Sequence, residues 1–318
     1  MSKAPTSTEP RLTRRHALQL ALAAGVGITS GARGEALAVT EVAPGVWVHR
    51  GVHEPPTSEN LGGIANIGFI VGAEAVAVID TGGCAIGGER LRAAIQAITD
   101  RPIRYVIATH VHPDHLFGHA AFLADQPEFL GHHQLPNALG TRGQFYLDNL
   151  MEQFGATANG TDIVPPVLLI ENQLTLDLGG RDLILTAQPT AHTDNDLSIF
   201  DPTTGTLWLS DLLFMERCPV VDGSLLGWLA VLDTLSEHEA ERVIPGHGPI
   251  SAPWPDALAP QVAYLNHLRD EIRPIIAGGG MIEEAVETVG WDRQADWLLF
   301  EESHARNVTA AFTELEWE

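Results

Sequence analysis

Short apolar runs bounded by turn residues dominate the first half of the chain and predict strands. Two flank Pro44-Gly45 in "VTEVAPGVWVHRG", a hairpin is predicted in "NIGFIVGAEAVAVID", and "IRYVIATH" reads as a buried strand. Helical spacing appears in "ERLRAAIQAIT" and over residues 137–154. Two further hairpins, "LTLDLGGRDLILTA" and "DLSIFDPTTGTLWLSD", carry glycine in the turn.

The second half returns to helical spacing after these hairpins. The predicted helices cover Leu225–Glu239, Pro255–Ile276, Met281–Val289 and the segment from Ala295 to the C-terminus. Strand-rich and helix-rich stretches thus occur in both halves, which favours two mixed sheets packed face to face with helices outside. We predict an α/β fold, a four-layer αββα sandwich. No Pro/Ser-rich linker interrupts residues 39–318, which we interpret as one domain.

The first 38 residues have the composition of a targeting segment. Arg14 and Arg15 precede an apolar run over residues 17–28 that is too short to cross a bilayer, and Ala36-Leu37-Ala38 is typical of a cleavage site. We therefore predict a signal peptide over residues 1–38, export to the periplasm, and the twin-arginine route. A Sec signal or an uncleaved tether is the alternative.

Charge narrows the range of partners. The whole chain carries a net charge of −23; residues 1–38 hold five of its 18 Lys and Arg and two of its 41 Asp and Glu, so residues 39–318 carry −26. So acidic a surface repels phosphate backbones, and nucleic acid is not an expected partner. No apolar stretch after residue 38 is long enough for an integral membrane segment. Two cysteines, Cys84 and Cys218, are too few for a disulfide framework, although the sequence leaves open whether they pair.

The stretch "THVHPDH" concentrates metal-binding side chains directly after the buried strand "YVIA". In an extended chain, alternate residues share a face, so His110, His112 and Asp114 are expected to point the same way. His115 then lies where the chain turns into a helix after Pro113. Imidazole and carboxylate suit zinc, iron or manganese. Burying so many polar groups without a metal would be costly, which favours a metal site over a polar turn.

One strand end cannot complete a metal shell, and three later residues are candidates for the rest. His192 follows the predicted strand 183–187, Asp211 ends "LWLSD", and His247 lies in the glycine-flanked turn "VIPGHGP". All three come after apolar strands, at the sheet edge where α/β proteins build ligand crevices. An alternative for Asp211 is a helix N-cap, because "SDLLF" resembles a helix start.

Together, the order of "VIDTGG", "HVHPDH", His192, Asp211 and His247 resembles the metallo-β-lactamase-fold hydrolase superfamily. The resemblance implies two metal sites with Asp211 as the bridge, one formed by His110, His112 and His192 and the other by Asp114, His115 and His247. It implies two Zn²⁺ per chain, with iron or manganese possible, and a catalytic role for Asp114. Asp80 of "VIDTGG" would orient a ligand without touching metal.

The resemblance also implies a reaction class. A water bound to two zinc ions ionises near neutral pH, which fits hydrolysis of an ester, thioester or related acyl bond of a small molecule. True lactamases of this superfamily place Cys or Ser where this chain has Asp211. "SDLLFMERCPVVDGSLLGWLAVLD" and the terminal "HARNVTAAFTELEWE" resemble the quinoprotein relay system zinc metallohydrolases, which implies a quinoprotein dehydrogenase as partner.

Two other functional classes remain open from the sequence. One is a persulfide dioxygenase-like oxidoreductase, which uses one iron held by two His and one Asp. The other is a metal-dependent partner subunit without catalytic activity. We further expect the loop from Met215 to Leu226 to shape the substrate pocket, with Arg217 either clamping an anionic substrate or pairing with Glu216 or Asp222.

Overall fold

Thirteen strands form two sheets within residues 35–318, the part of the chain that the computed structural model describes. The first sheet contains β1 (Thr40–Ala43), β2 (Val46–His49), β3 (Ile67–Val71), β4 (Val76–Ile79), β5 (Ile103–Ile107), β6 (Glu128–His132) and β7 (Leu168–Ile170). The second contains β8 (Gln173–Asp177), β9 (Asp182–Ala187), β10 (Leu197–Asp201), β11 (Thr206–Phe214), β12 (Arg242–His247) and β13 (Ala252–Pro253). The predicted signal peptide lies almost wholly outside the described residues and stays a prediction.

Both sheets are mixed, and both change strand direction where they approach the site. In the first sheet the strands follow chain order, antiparallel from β1 to β4 and parallel from β4 to β7. The second runs β13-β12-β11-β10-β9-β8, and only the β11–β12 pair is parallel. Parallel neighbours bring their carboxyl ends to one edge, so residues that follow β4, β5 and β12 can converge there.

The helices occupy the outer faces. They are α1 (Ala85–Ile98), α2 (Pro113–Leu116), α3 (Leu135–Ala138), α4 (Gln144–Phe154), α5 (Leu225–Ser236), α6 (Ala259–Ala277), α7 (Ile282–Thr288) and α8 (Phe300–Leu315). A π-helical turn over Leu139–Gly143 joins α3 to α4. None of the helices within residues 35–318 has both the length and the apolar character that crossing a membrane requires.

Three layers of buried apolar side chains hold the sandwich together. Between the sheets, Ile79 and Ile107 of the first sheet belong to one cluster with Ile199 and Trp208 of the second. A second layer packs α1 against the outer face of the first sheet, and a third packs α5, α6 and α8 against the second sheet. Burial of apolar surface on both faces of each sheet is the main stabilising contribution expected for this architecture. The predicted αββα sandwich is confirmed.

One local prediction and one alternative were wrong around the candidate ligands. Strand β5 ends at Ile107, before the histidines, and Asp114 lies in the first turn of α2 instead of on the strand face shared with His110. Pro113 at the start of α2 explains this, because its fixed φ suits the first turn of a helix. Strand β11 continues through Asp211 to Phe214, so Asp211 caps no helix.

The C-terminal helices differ from the prediction mainly at their ends. The first ends at Ser236 and not at Glu239, and α6 begins only after a 3₁₀ turn over Asp256–Leu258. A second 3₁₀ turn over Trp291–Asp296 delays the last helix until Phe300. These are shifts of a few residues at helix ends, where local sequence signals are weakest.

Candidate metal centre

The first group of candidate ligands converges on one point at the edge of the two sheets. Nδ1 of His112 lies 3.1 Å from Nε2 of His110 and 3.0 Å from Nε2 of His192. Oδ2 of Asp211 lies 3.6 Å from the His110 nitrogen and 3.4 Å from the His192 nitrogen. We call these four residues the first donor group.

The second donor group lies on the other side of the same carboxylate. Nε2 of His115 is 3.5 Å from Oδ2 of Asp114 and 3.2 Å from Oδ1 of Asp211. Nε2 of His247 is 3.5 Å from the same Asp114 oxygen and 3.4 Å from the same Asp211 oxygen. Asp211 therefore offers one oxygen to each group. The structure brings together all seven candidate ligands in the division that the resemblance implied.

The geometry of both groups fits a divalent metal. Four donors placed tetrahedrally at about 2.0–2.1 Å from a zinc ion lie roughly 3.4 Å from one another, within the range of these separations. In the second group, Nε2 of His115 and Oδ1 of Asp211 are buried and make no hydrogen bond of acceptable geometry. A bound cation would satisfy both atoms. Imidazole and carboxylate donors also admit iron or manganese.

Every candidate histidine ligand is held through its other ring nitrogen, as metal-binding histidines usually are. Hydrogen-bond partners at 2.7–3.0 Å are Thr109 Oγ1 for His110, Asp222 Oδ2 for His112, Asp80 Oδ2 for His115, the Val220 carbonyl for His192 and the Ile64 carbonyl for His247. These contacts fix which nitrogen faces the centre and how each ring is turned. The ligands are thus oriented by the protein itself.

Asp80 occupies the buried position that the resemblance implied. Its carboxylate accepts hydrogen bonds from the backbone N–H and hydroxyl of Thr109, both at 2.9 Å, from Ser210 Oγ at 3.1 Å, and from His115 Nδ1 at 2.8 Å. The residue follows β4 and has a left-handed backbone, φ 56°, which Asp tolerates better than most residues. Asp80 therefore links the β4 edge to both the "THVHPDH" loop and β11.

Electrostatics prepares the two groups differently. Burial lowers the pKa of His192 to about 3, and it also lowers the pKa of His110, with the His115 charge adding to the effect. Burial alone would also lower the pKa of His115, but nearby carboxylates, Asp211 first, raise it well above its ordinary value. His110 and His192 therefore present neutral imidazoles that can bind metal, and the carboxylates around His115 create a negative field that favours a cation.

A close backbone approach lets Asp211 reach both groups. At Gly246, the residue before the ligand His247, a Cβ atom would overlap Oδ1 of Asp211. Only glycine leaves room there for the carboxylate. The parallel pairing of β11 with β12 is also irregular between Trp208 and Phe214. Because of this irregularity, the side chain of Asp211 need not follow the strict up-and-down alternation of a regular strand.

Comparison with known proteins identifies the family. A sequence profile described as the Metallo-beta-lactamase superfamily matches residues 61–247, more than half of the chain and a segment that contains all seven candidate ligands. The chain belongs to the metallo-beta-lactamase superfamily. Members of this superfamily are mostly hydrolases.

Individual relatives are distant. The linear primary-alkylsulfatase of Pseudomonas sp. is 24% identical over 230 residues, covering 58% of this chain and 41% of that protein. The stereoselective inverting sec-alkylsulfatase of Pseudomonas sp. superposes with a TM-score of 0.67 at 19% identity, over 87% of this chain and 50% of that one. The metallo-beta-lactamase from Pontibacter korlensis gives 0.55 at 19% identity, over 72% and 99%. The chain thus spans at most half the length of these alkylsulfatases, and the structural likenesses establish the fold alone.

The loop from Met215 to Leu226, which we predicted to shape the substrate pocket, is hydrogen-bonded to two of the candidate ligands. Its backbone bonds to the ligands, with the Met215 N–H donating to the His247 carbonyl at 2.9 Å and the Val220 carbonyl accepting from His192. It does not line the cavity beside Asp114. The loop therefore contacts the candidate ligands through its backbone, and its predicted role in shaping the substrate pocket stays a prediction.

Arg217 makes no ion pair with either predicted partner within residues 35–318. Glu216 pairs instead with Arg50 at 2.7 Å, and Asp222 pairs with Arg142 at 2.5 Å and with Arg306 at 2.7 Å. The pairing alternative for Arg217 is therefore wrong, and nothing tests the substrate clamp. Cys218, the next residue, is a buried free thiol, as is Cys84.

Asp222 is one of the supporting residues that the sequence did not indicate. From the sequence it was only a possible partner for Arg217, yet its carboxylate contacts His112 and two arginines. Burial would raise the pKa of Asp222, but the hydrogen bond from His112 and the nearby charges lower it well below its ordinary value. The only local signal was an Asp in a turn between β11 and α5, which is common in any loop.

A cavity of about 220 Å³ opens next to the second donor group. Asp114 and Pro113 line it, and Ile64, Leu150 and Phe154 contribute apolar walls. Tyr146 and Asn149 of α4 add polar atoms to its lining. An apolar cavity with a few polar groups beside a reactive centre is the usual form of a small-molecule site.

Proposed function

We propose that this chain is a dinuclear zinc hydrolase that cleaves ester, thioester or related acyl bonds of small molecules. The observation that carries the proposal is the division of seven donors into two groups that share Asp211. Two divalent ions held by these donors would lower the pKa of a bound water to about 7 and would polarise the bond to be cleaved. The chain's residues hold the ions, orient the ligands and exclude solvent.

Asp114 is assigned the catalytic position among the ligands. Of the residues in the second donor group, it is the one that lines the cavity, and its side chain is 16% exposed where that of His115 is fully buried. A substrate in the cavity would therefore meet the centre at Asp114. Geometry of this kind, with the reacting group placed directly against the ligands, is how a rigid site lowers an activation barrier.

The cavity supports a compact apolar group on the substrate. Its volume of about 220 Å³ exceeds the roughly 150 Å³ of an apolar cavity that accommodates benzene. Ile64, Leu150 and Phe154 would contact a phenyl or short branched chain. We therefore propose aromatic or short branched acyl esters and thioesters as the substrate class.

Sulfate esters are the second candidate. The observation in their favour is that an alkylsulfatase structure superposes on 87% of this chain. A mononuclear iron dioxygenase is a weaker candidate, because two His and one Asp would leave four of the seven converging donors unused. A partner subunit that binds metal without turnover is the non-catalytic alternative.

We also propose that the protein works in the periplasm beside a quinoprotein dehydrogenase. The support is confined to the sequence: Arg14-Arg15, Ala36-Leu37-Ala38 and the two stretches that resemble the quinoprotein relay metallohydrolases. N-terminal sequencing of the native protein tests export, and a chain beginning at Ser2 would contradict it. Co-purification with a quinoprotein dehydrogenase from a periplasmic extract tests the partnership, and its absence at native abundance would contradict it.

The function is tested by metal analysis followed by a substrate panel. Metal-free protein is reloaded with zinc, manganese or iron and offered phenyl, short branched and long-chain acyl esters and thioesters, a lactone, a β-lactam and a primary alkyl sulfate. We expect two zinc per chain and the highest kcat/KM for phenyl or short branched acyl groups. Turnover of the alkyl sulfate alone would favour the second candidate. One iron per chain, or no turnover at all, would contradict the proposal.

A cavity variant separates substrate fit from chemistry. Leu150→Trp fills the cavity from α4 without changing a ligand, so it should lower kcat/KM for phenyl esters while leaving acetyl esters nearly unaffected. Met151, the next residue in the same helix, is exposed and provides the matched control. Met151→Trp should leave kcat/KM unchanged for both kinds of ester. Equal losses for both esters in Leu150→Trp would show that the cavity is not the acyl site.

A further inference from the structure

We propose that the C-terminal helix α8 positions the first donor group, and not the second, through the consecutive residues Arg306 and Asn307. The inference rests on the proposed two-metal site. Helix α8 lies beyond residues 61–247, the segment that the family profile matches. Both residues are positioning residues, because they touch the partners of the ligands and neither touches the centre.

Asn307 brackets the residue that holds His192. Its Nδ2 donates to the Pro219 carbonyl at 2.6 Å, and its Oδ1 accepts from the Val221 N–H at 2.9 Å. Between these two contacts, the Val220 carbonyl accepts from Nδ1 of His192 at 2.7 Å. One fully buried amide side chain therefore fixes the peptide unit on which the imidazole depends.

Arg306 reaches the second histidine of the same group through Asp222. Its Nη2 donates to Oδ1 of Asp222 at 2.7 Å, while Oδ2 of Asp222 accepts from Nε2 of His112 at 3.0 Å. Arg142, in the π-helical turn, donates to that same Oδ2 at 2.5 Å. The two arginines thus hold the carboxylate from both sides, and its position determines the ring plane of His112.

Helix α8 is itself held in place by buried hydrogen bonds, so it can fix the position of the residues that it contacts. Asn307 Nδ2 lies 3.0 Å from the Tyr264 hydroxyl of α6, which contacts Nδ1 of His304 at 2.9 Å. The other His304 nitrogen donates to the Val289 carbonyl at 2.8 Å. Buried networks of this kind restrict the movement of their members, because each group that shifts leaves a partner unsatisfied.

Within residues 35–318, no side chain of the second donor group is held by a residue that α8 contacts; the loop reaches His247 only through the backbone of Met215, which Asn307 does not touch. His115 depends on Asp80, and His247 depends on the Ile64 carbonyl, both from the first half of the chain. A change at Arg306 or Asn307 should therefore weaken one of two bound ions. A defect that merely loosened the fold would weaken both.

The test is stepwise release of zinc to a chromogenic chelator from zinc-loaded protein. His192→Ala and His247→Ala first assign the two release steps to the first and second donor groups. Asn307→Ala and Arg306→Ala are then compared with the wild type. We expect only the first-group step to move, by about 10–100-fold for Asn307→Ala, the range found when a ligand's support is removed. The shift should be smaller for Arg306→Ala, whose side chain is 60% exposed.

Matched controls come from the neighbouring helix and the C-terminus. Asn266→Ala removes an asparagine of α6 that bonds only within its own helix, and Arg273→Ala removes an exposed ion pair with Glu318. Neither control should change the zinc affinity measured in either release step. Arg306→Lys should recover part of the affinity lost in Arg306→Ala. If Asn307→Ala fails to fold, the surface variant Arg306→Ala decides the matter.

The outcomes separate this inference from the proposed function. Equal weakening of both steps, or no change in either, would overturn the role of α8 even if the enzyme is dinuclear. If wild-type protein binds only one zinc, the two-metal proposal fails first. Cobalt-substituted protein gives a second readout, since only the absorption of the first-group ion should change in Asn307→Ala.

Discussion

The two donor groups use similar ligands but are supported in different ways. Behind the first, the support of His112 runs through Asp222 to Arg142 and Arg306, whose side chains are 31% and 60% exposed. Behind the second, His115 depends on Asp80, which is fully buried and bonded to buried groups. Ion pairs near solvent are weakened by salt, whereas buried hydrogen bonds are not. If each group holds an ion, as we propose, the ion of the first group should respond to salt through His112, and the ion of the second group should not.

Asp211 is the one residue common to both groups, so its change should have the largest effect. In Asp211→Asn the size is kept but the charge between the two ions is lost, and repulsion between them is less compensated. We expect both release steps to weaken and kcat/KM to fall by about 100-fold or more, beyond the 10–100-fold typical of a supporting residue.

Circular dichroism should show that the Asp211→Asn fold survives, because the core strands do not depend on this carboxylate. Asp233→Asn, an exposed carboxylate of α5, is the matched control and should behave as wild type. Two tightly bound zinc ions with normal turnover in Asp211→Asn would contradict the bridging role.

Asp80→Asn should affect the second group most. Asparagine tolerates the left-handed backbone of this position, but its amide nitrogen cannot accept the hydrogen bonds that converge on Oδ2. We expect the second-group release step to weaken by about 10–100-fold. The free energy of unfolding should fall by about 1–3 kcal/mol, the cost of an unsatisfied buried group. If Asp80→Asn instead weakened zinc binding only in the first donor group, the contrast between the two groups would be contradicted.

Asp222→Asn should weaken zinc binding in the first donor group only. The loss should be smaller than in Asp80→Asn, about 10-fold, because His112 and Asp222 are partly solvent-accessible. Raising salt from 0.05 to about 0.5 M should move the same step in the wild type, since the Debye length falls to a few Å. The measurement is zinc release at both salt concentrations. If salt shifts the two steps equally, the exposed ion pairs do not distinguish the groups.

His119 should affect stability without changing either ion. Burial lowers the pKa of His119 to about 3, so the folded chain resists its protonation while the unfolded chain accepts a proton below about 6.5. Stability from this neutral residue is present above 6.5 and is lost as the pH falls towards 3. Between pH 7 and 5.5, the free energy of unfolding of His119→Gln should therefore rise by about 1.3 kcal/mol relative to that of the wild type. Denaturant unfolding of both proteins at the two pH values measures this change. If the difference in free energy of unfolding between variant and wild type were the same at both pH values, the prediction would be contradicted.

The sequence pointed to the candidate ligands more readily than to their supports, for a physical reason. The candidates are His and Asp residues at or near the ends of apolar segments, and strand ends that meet at one edge of a sheet bring such residues together. Support by Val220, Ile64 and Asn307 uses backbone carbonyls or a buried amide from distant segments. Such contacts depend on three-dimensional packing and leave no local pattern.

The local errors have a related cause. The continuation of β11 through Asp211 is decided by its pairing with β12 and by the space that Gly246 leaves, neither of which the segment "SDLLF" records. Asp114 entered a helix because Pro113 favours the first helical turn more strongly than it favours the end of a strand. In both cases tertiary context or one backbone constraint outweighed side-chain alternation.

The most direct test of two groups sharing one carboxylate is anomalous diffraction at the zinc edge from crystals of the zinc-loaded wild-type protein. We predict two peaks about 3.5–4 Å apart, the spacing of two-metal sites. One should lie among His110, His112 and His192, the other among Asp114, His115 and His247, with Asp211 between them. A single peak, or two peaks that do not both contact Asp211, would contradict the account.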